Sequence, residues 1–163
     1  MDVELNAFEV LEIVERIERN GVKFYRTAAE LVGDSRTGNK FLELANWEAK
    51  HIEVFKDMKE RLSQQKWELG TYKPSRMELP GAQVMAGLAV FAIQPDPSRE
   101  LTGKESREDI FRLAIQKEKD SIVYYSGLKD FVPAHKDKEV IEGIITEEMR
   151  HVRILSQSLE WAA

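Results

Sequence analysis

Cysteine is absent from this 163-residue chain, proline occurs five times and histidine three times. The missing thiol excludes disulfides, zinc ribbons, rubredoxin-type iron sites and iron–sulfur clusters. Scarce proline leaves room for long uninterrupted helices. Cationic excess is missing too. The net charge is −5, so the charge balance speaks against nucleic acid or an anionic membrane as partner. The longest apolar run, Val84 to Ile93, is far too short to span a bilayer as a helix. The start, Met1-Asp2-Val3-Glu4, is acidic and carries no signal-peptide pattern, which makes the cytoplasm the expected location. Charged residues at 33% and hydrophobic residues at 42% fit a soluble helix-rich protein, and the length suits one domain, 1–163, with a core of its own.

Periodicity predicts an all-α chain of four long helices, roughly 7–32, 36–64, 106–132 and 136–161. Asn6 with Glu9 reads as an N-cap opening the first, and Gly33-Asp34 as its stop. Its apolar seam, in steps of three and four, runs Leu11, Val14, Glu18, Gly21, Tyr25, Ala28, Val32. The second seam reads Phe41, Leu44, Glu48, His51, Phe55, Met58, Leu62. Ser106, followed by Glu108 and Asp109, caps the third, whose seam reads Phe111, Ala114, Glu118, Ser121, Tyr125, Leu128, Val132 before Pro133 closes it. The fourth carries Ile141, Ile144, Glu148, His151, Leu155, Ser158, Ala162. Short links make each consecutive pair antiparallel. Between the pairs, residues 65–105 hold Pro74, Pro80, Pro95 and Pro97. A connection that long is expected to be a crossover outside the bundle, joining two helices that run the same way. Its apolar stretch, Gly81 to Ile93, is expected to pack on the bundle or across a dimer.

Two tetrads organise the chemistry: Glu48-Ala49-Lys50-His51 and Glu148-Met149-Arg150-His151. Glu and His three apart lie on one helical face, where both can address one metal ion. Shifting the first helical pair by one hundred residues lays Glu18 on Glu118, Tyr25 on Tyr125, Glu48 on Glu148 and His51 on His151. The chain is thus read as a duplication whose four seam glutamates converge at one level.

No Lys or Arg occupies a seam position, so the usual counter-charges must reach in from the flanks. One buried, unpaired carboxylate costs roughly several kcal/mol. Four together rival a domain stability of about 5–15 kcal/mol. Four glutamates and two neutral histidines are neutralised by two divalent cations. Oxygen and imidazole donors without thiolate suit iron, manganese or zinc. A metal-free polar core or scaffold is the alternative. Tyr25 and Tyr125, two turns beyond Glu18 and Glu118, are placed to hydrogen-bond ligand carboxylates; the alternative is a pair of core aromatics whose hydroxyls find any partner. Glu147 can orient a histidine from outside, while Phe24 and Tyr124 read as packing, His135 as a surface residue, and Met58, Met85 and Met149 as core.

The Glu and Glu-x-x-His set resembles the ferritin-like di-iron carboxylate superfamily, and most of all its rubrerythrin and erythrin branch. The run Glu18-Arg19-Asn20-Gly21-Val22-Lys23-Phe24-Tyr25 is similar to that branch's first helix. The resemblance implies a ferritin-like four-helix bundle binding two iron ions, with Glu18 and Glu118 as terminal carboxylates. Glu48 and Glu148 would bridge, and His51 and His151 would each cap one ion. It implies a non-haem di-iron oxidoreductase reducing hydrogen peroxide or O₂, with a place in the oxidative stress response. Electrons would come from a separate protein, rubredoxin-like or a flavin reductase, and a homodimer is expected. A ferroxidase that stores or delivers iron is the alternative; the lack of an obvious fifth helix after Trp161 speaks against a ferritin cage. Two features depart from the branch. The rubredoxin domain has no counterpart, and Ser121 stands where an extra carboxylate is typical.

Overall fold

Four helices follow one another in chain order: α1 Ala7–Leu31, α2 Ser35–Glu68, α3 Arg107–Leu128 and α4 His135–Ala162. The computed structural model describes residues 7–68, 100–129, 132 and 134–162, with the side chains of 7–9, 65–68 and 162 excepted. Asn6, Pro133 and most of the expected crossover, with Gly81 to Ile93 and Met85, lie outside the described residues. Among those described, no helix is long and apolar enough to cross a membrane.

α1 packs most extensively on α2, and α3 on α4, with narrower seams between α1 and α3 and between α2 and α4. The turn between α1 and α2 is made by Gly33, whose φ of 72° lies in the left-handed region that favours glycine. Asp34 then caps α2, its Oδ1 accepting from the Thr37 backbone N–H at 2.8 Å. That N–H, with the Thr37 hydroxyl, holds the Asp34 carboxyl below its usual range. Ser106 caps α3 in a full capping box with Asp109. Arg107 reaches back from α3 to Thr37 Oγ1 at 2.7 Å, and Arg61 of α2 meets Asp137 of α4 at 2.8 Å.

Three expectations need correction. α2 runs to Glu68 rather than 64, because no glycine or proline interrupts residues 65–68. α3 ends at Leu128 rather than 132: Gly127 weakens its last turn and the chain is heading for Pro133. Met149 is 58% exposed, since the residue after a seam glutamate is turned about 100° away from the core.

Every described seam position is buried except Val32, which is half-buried. The apolar part of the core falls into two clusters. One gathers Leu11, Val14, Phe55, Met58, Leu128 and Ile141 with their neighbours. The other gathers Phe24, Ala28, Phe41, Leu44, Phe111 and Leu155 with theirs. Between them in the helical register lie Glu18, Glu48, Glu118, Glu148 and both seam histidines, all buried. A polar layer therefore divides the interior midway along the bundle.

Candidate metal centre

Two sets of donor atoms, each within 4.8 Å of one another, form in that layer: Glu18, Glu48, His51 and Glu148, and Glu48, Glu118, Glu148 and His151. Glu48 and Glu148 belong to both sets. Glu18 with His51 completes one, Glu118 with His151 the other. None of the six is more than 4% exposed. All six residues singled out by the repeat are brought together, one glutamate from each helix and the histidines from α2 and α4.

Both imidazoles turn Nδ1 inward. His51 Nδ1 lies 3.1 Å from Glu148 Oε1 and 3.5 Å from Glu18 Oε1. His151 Nδ1 lies 3.1 Å from Glu148 Oε2 and 3.6 Å from Glu118 Oε2. The rings face one another with centroids 6.4 Å apart. Outward, His51 Nε2–H donates to Glu147 Oε2 at 2.9 Å, as the position of Glu147 suggested. The Tyr25 hydroxyl donates to Glu118 Oε1 and the Tyr125 hydroxyl to Glu18 Oε1. Position 25 meeting 118 while 125 meets 18 requires α1 and α3 to run in opposite directions. Since α1 and α2 are also antiparallel, α2 and α3 run the same way, as the long connection implied.

Phe rings hold the tyrosines in place. Phe41 stacks on Tyr25 with centroids 6.0 Å apart, and Phe55 packs on Tyr125 at 5.3 Å. Gly21 of α1 makes room for the Glu48 side chain, a role its seam position alone did not reveal. Phe24 and Tyr124 are buried core residues, and His135 is exposed, both as expected.

The buried carboxyls and imidazoles of the layer shift one another strongly. Burial pushes the Glu48 carboxyl well up, and the neighbouring Glu18, Glu148 and Glu118 push it further. Burial and Glu148 push Glu118 up to about 8 against the pull of His151. Burial works against the charged form of Glu148 as well, but the neighbouring Glu118 carboxyl and the His151 and His51 imidazoles hold it below the carboxylate range. For the histidines burial alone lowers the pKa. The surrounding glutamates outweigh it, raising His51 to about 11 and His151 to about 9. Burial and the adjacent carboxylates push Tyr25 and Tyr125 well up, so both hydroxyls keep their protons and donate. Without cations, then, the layer is neutralised by protons, which a bound metal would displace.

Whether these residues fit a metal pair is tested by what the protein leaves unmatched. Glu18 Oε2 and Glu48 Oε1 are buried atoms without a hydrogen-bond partner among the described residues, and His51 Nδ1 and Glu148 Oε1, 3.1 Å apart, are not aligned to bond one another. Such atoms are rare in native interiors and ask for an ion. Glu15, 7% exposed and outside the layer, also has an oxygen without a hydrogen-bond partner, but there the cation is supplied by the protein, Lys59 Nζ lying 2.7 Å from it. The buried Glu/His clusters are consistent with a dimetal site. The donors, all oxygen and imidazole, suit iron, manganese or zinc.

No protein-family model matches the chain, and no curated protein matches it. Among solved structures, the chain is similar to a Thermotoga maritima protein described as ferritin-like and diiron-carboxylate, with a TM-score of 0.68 and 24% identity. The match covers 98% of this chain and 97% of that one. At that identity the likeness speaks for architecture, and the fold is the ferritin-like four-helix bundle of two helix pairs.

Proposed function

We propose that the chain is a di-iron redox protein of rubrerythrin-like type, one ferritin-like domain over residues 1–163, that reduces hydrogen peroxide or O₂. The carrying observation is the pair of four-residue donor sets that share Glu48 and Glu148. Glu18 and His51 would hold one ion, Glu118 and His151 the other, with Glu48 and Glu148 between them. The neighbour's description as a diiron-carboxylate protein supports the same reading. Two bound ferrous ions would supply the two electrons that reduction of peroxide to water consumes.

The protein's own groups do the rest. Tyr25 and Tyr125 fix the orientation of Glu118 and Glu18 by donating to one oxygen of each, which leaves the other oxygen free to ligate. Glu147 holds the His51 proton on Nε2, so the Nδ1 lone pair points inward. The apolar clusters on either side exclude bulk water and strengthen every charge interaction in the layer. Protons for the product water come from the acidic network of the layer, refilled from solvent. Electrons come from a separate carrier protein, and the chain works as a homodimer in the cytoplasm.

The test is anaerobic loading with Fe(II), followed by separate peroxide and O₂ challenges in a stopped-flow spectrometer. Two equivalents bound and oxidation faster by peroxide than by O₂ is the expected result. Equal rates sink the peroxidase reading. Uptake of many iron equivalents per chain turns the assignment to ferroxidase and iron storage, and binding of well under one equivalent removes the metal reading altogether.

A further inference from the structure

The two halves of the layer are related by a half-turn: Tyr25 meets Glu118 as Tyr125 meets Glu18. The same operation carries the contact between His51 and position 147 onto a contact between His151 and position 47. Here the symmetry breaks. Beside His51 stands Glu147, whose Oε2 accepts the ring Nε2–H at 2.9 Å. Beside His151 stands Trp47, its ring centroid 6.1 Å from the imidazole and tilted 55°. Indole is a donor only and cannot accept a ring proton. The local charge differs as well: Glu147 brings a carboxylate to one imidazole, whereas Trp47, with Lys50 Nζ 4.2 Å from its ring centroid, brings none to the other.

A carboxylate accepting the outer N–H of a ligating imidazole fixes its tautomer and raises its basicity. From this we infer that the two ion sites are unequal, with Glu147 the positioning residue that makes the Glu18–His51 site the tighter. The Glu118–His151 site fills second and empties first. The inference rests on the two-ion reading of the layer and adds an order to it. Trp47 and Glu147 thereby set which half of the centre exchanges its ion.

Anaerobic titration of the metal-free protein with Co(II), read by absorbance and calorimetry, tests this without any turnover. Wild type should bind two equivalents in two steps at least tenfold apart in affinity. Glu147→Gln should weaken the first step by roughly 10–100-fold and leave the second nearly unmoved. Trp47→Glu should bring the two steps together by tightening the weaker one. In wild type at one equivalent, proton NMR should show a single paramagnetically shifted, slowly exchanging ring N–H, assigned to His51 by its loss in Glu147→Gln.

Two equal steps in wild type, or equal weakening of both by Glu147→Gln, overturn the ordering while leaving the dimetal site standing. A first shifted N–H that belongs to His151 also overturns it, and needs no variant that folds poorly. No Co(II) binding at all sinks the two-ion reading itself.

Discussion

Gly21 and Glu48 share one space: a Cβ built on Gly21 would stand 2.7 Å from Glu48 Oε2 and 3.2 Å from its Cδ. The glycine sits inside α1, where it costs roughly 1 kcal/mol relative to alanine. Its value is the room it leaves for a carboxylate of the neighbouring helix. Gly21→Ala therefore separates stability from ligation. The metal-free protein should hold its Tm or gain a few degrees, because the carboxylate end can swing aside. Co(II) affinity should fall tenfold or more, because the displaced carboxylate belongs to both donor sets. Calorimetry of both forms reads the split, and unchanged affinity would show that Glu48 has slack.

Replacing Glu48 with Gln removes a carboxyl that burial and three neighbouring glutamates already drive toward its neutral form. Metal-free Glu48→Gln should be as stable as wild type near neutral pH and more stable at alkaline pH. Metal binding should drop by at least two orders of magnitude. A purely structural glutamate would give the opposite pattern, with lost stability and no change in metal content.

Tyr25→Phe and Tyr125→Phe each delete one buried donor to a carboxylate. The expected cost is about 1–2 kcal/mol, or roughly 2–8 °C in Tm. Metal affinity should fall about 10–100-fold, each variant acting on the ion bound by its own partner glutamate. The double variant should be additive in affinity if the two halves titrate separately.

The pH dependence follows from the shifted groups. Glu118, raised to about 8, and His151, raised to about 9, hold protons in the folded state that the unfolded chain has released. Between roughly pH 5 and 9 the metal-free protein therefore loses stability as pH rises, by about 1.4 kcal/mol per pH unit for each such proton. Glu148, held below its usual range, gives the reverse trend in acid, where stability falls as pH drops below about 4.5. Metal-bound protein should behave oppositely at neutral to alkaline pH, because the cation competes with those same protons. Thermal melts across pH 5–9, with and without Co(II), check the crossing of the two curves.

Most of the architecture could be read in advance because the seam residues recur at helical spacing and the tetrads repeat. Steps of three and four placed Leu11, Phe41, Phe111 and Ile141 in the core, and all four are buried. Helix ends were less visible. α2 continues past Gln64 for want of a breaker, and α3 stops short of the proline that was to stop it. What periodicity could not show was anything depending on two helices at once. The room at Gly21 needs the Glu48 rotamer, and the burial of Glu15 needs Lys59 from α2. The unequal neighbours of the histidines sit at positions 47 and 147, one residue before each tetrad. Comparing the two halves residue by residue there would have exposed the difference.

An interior cut in two by an acidic layer has a consequence for the life of the chain in a cell. Each apolar half gains little from the other while protons alone hold the middle, so on the two-ion proposal the bundle should open from its centre when the metal is scarce. Proteases would then meet the metal-poor form first. The abundance of this protein would follow the metal supply without any dedicated sensor.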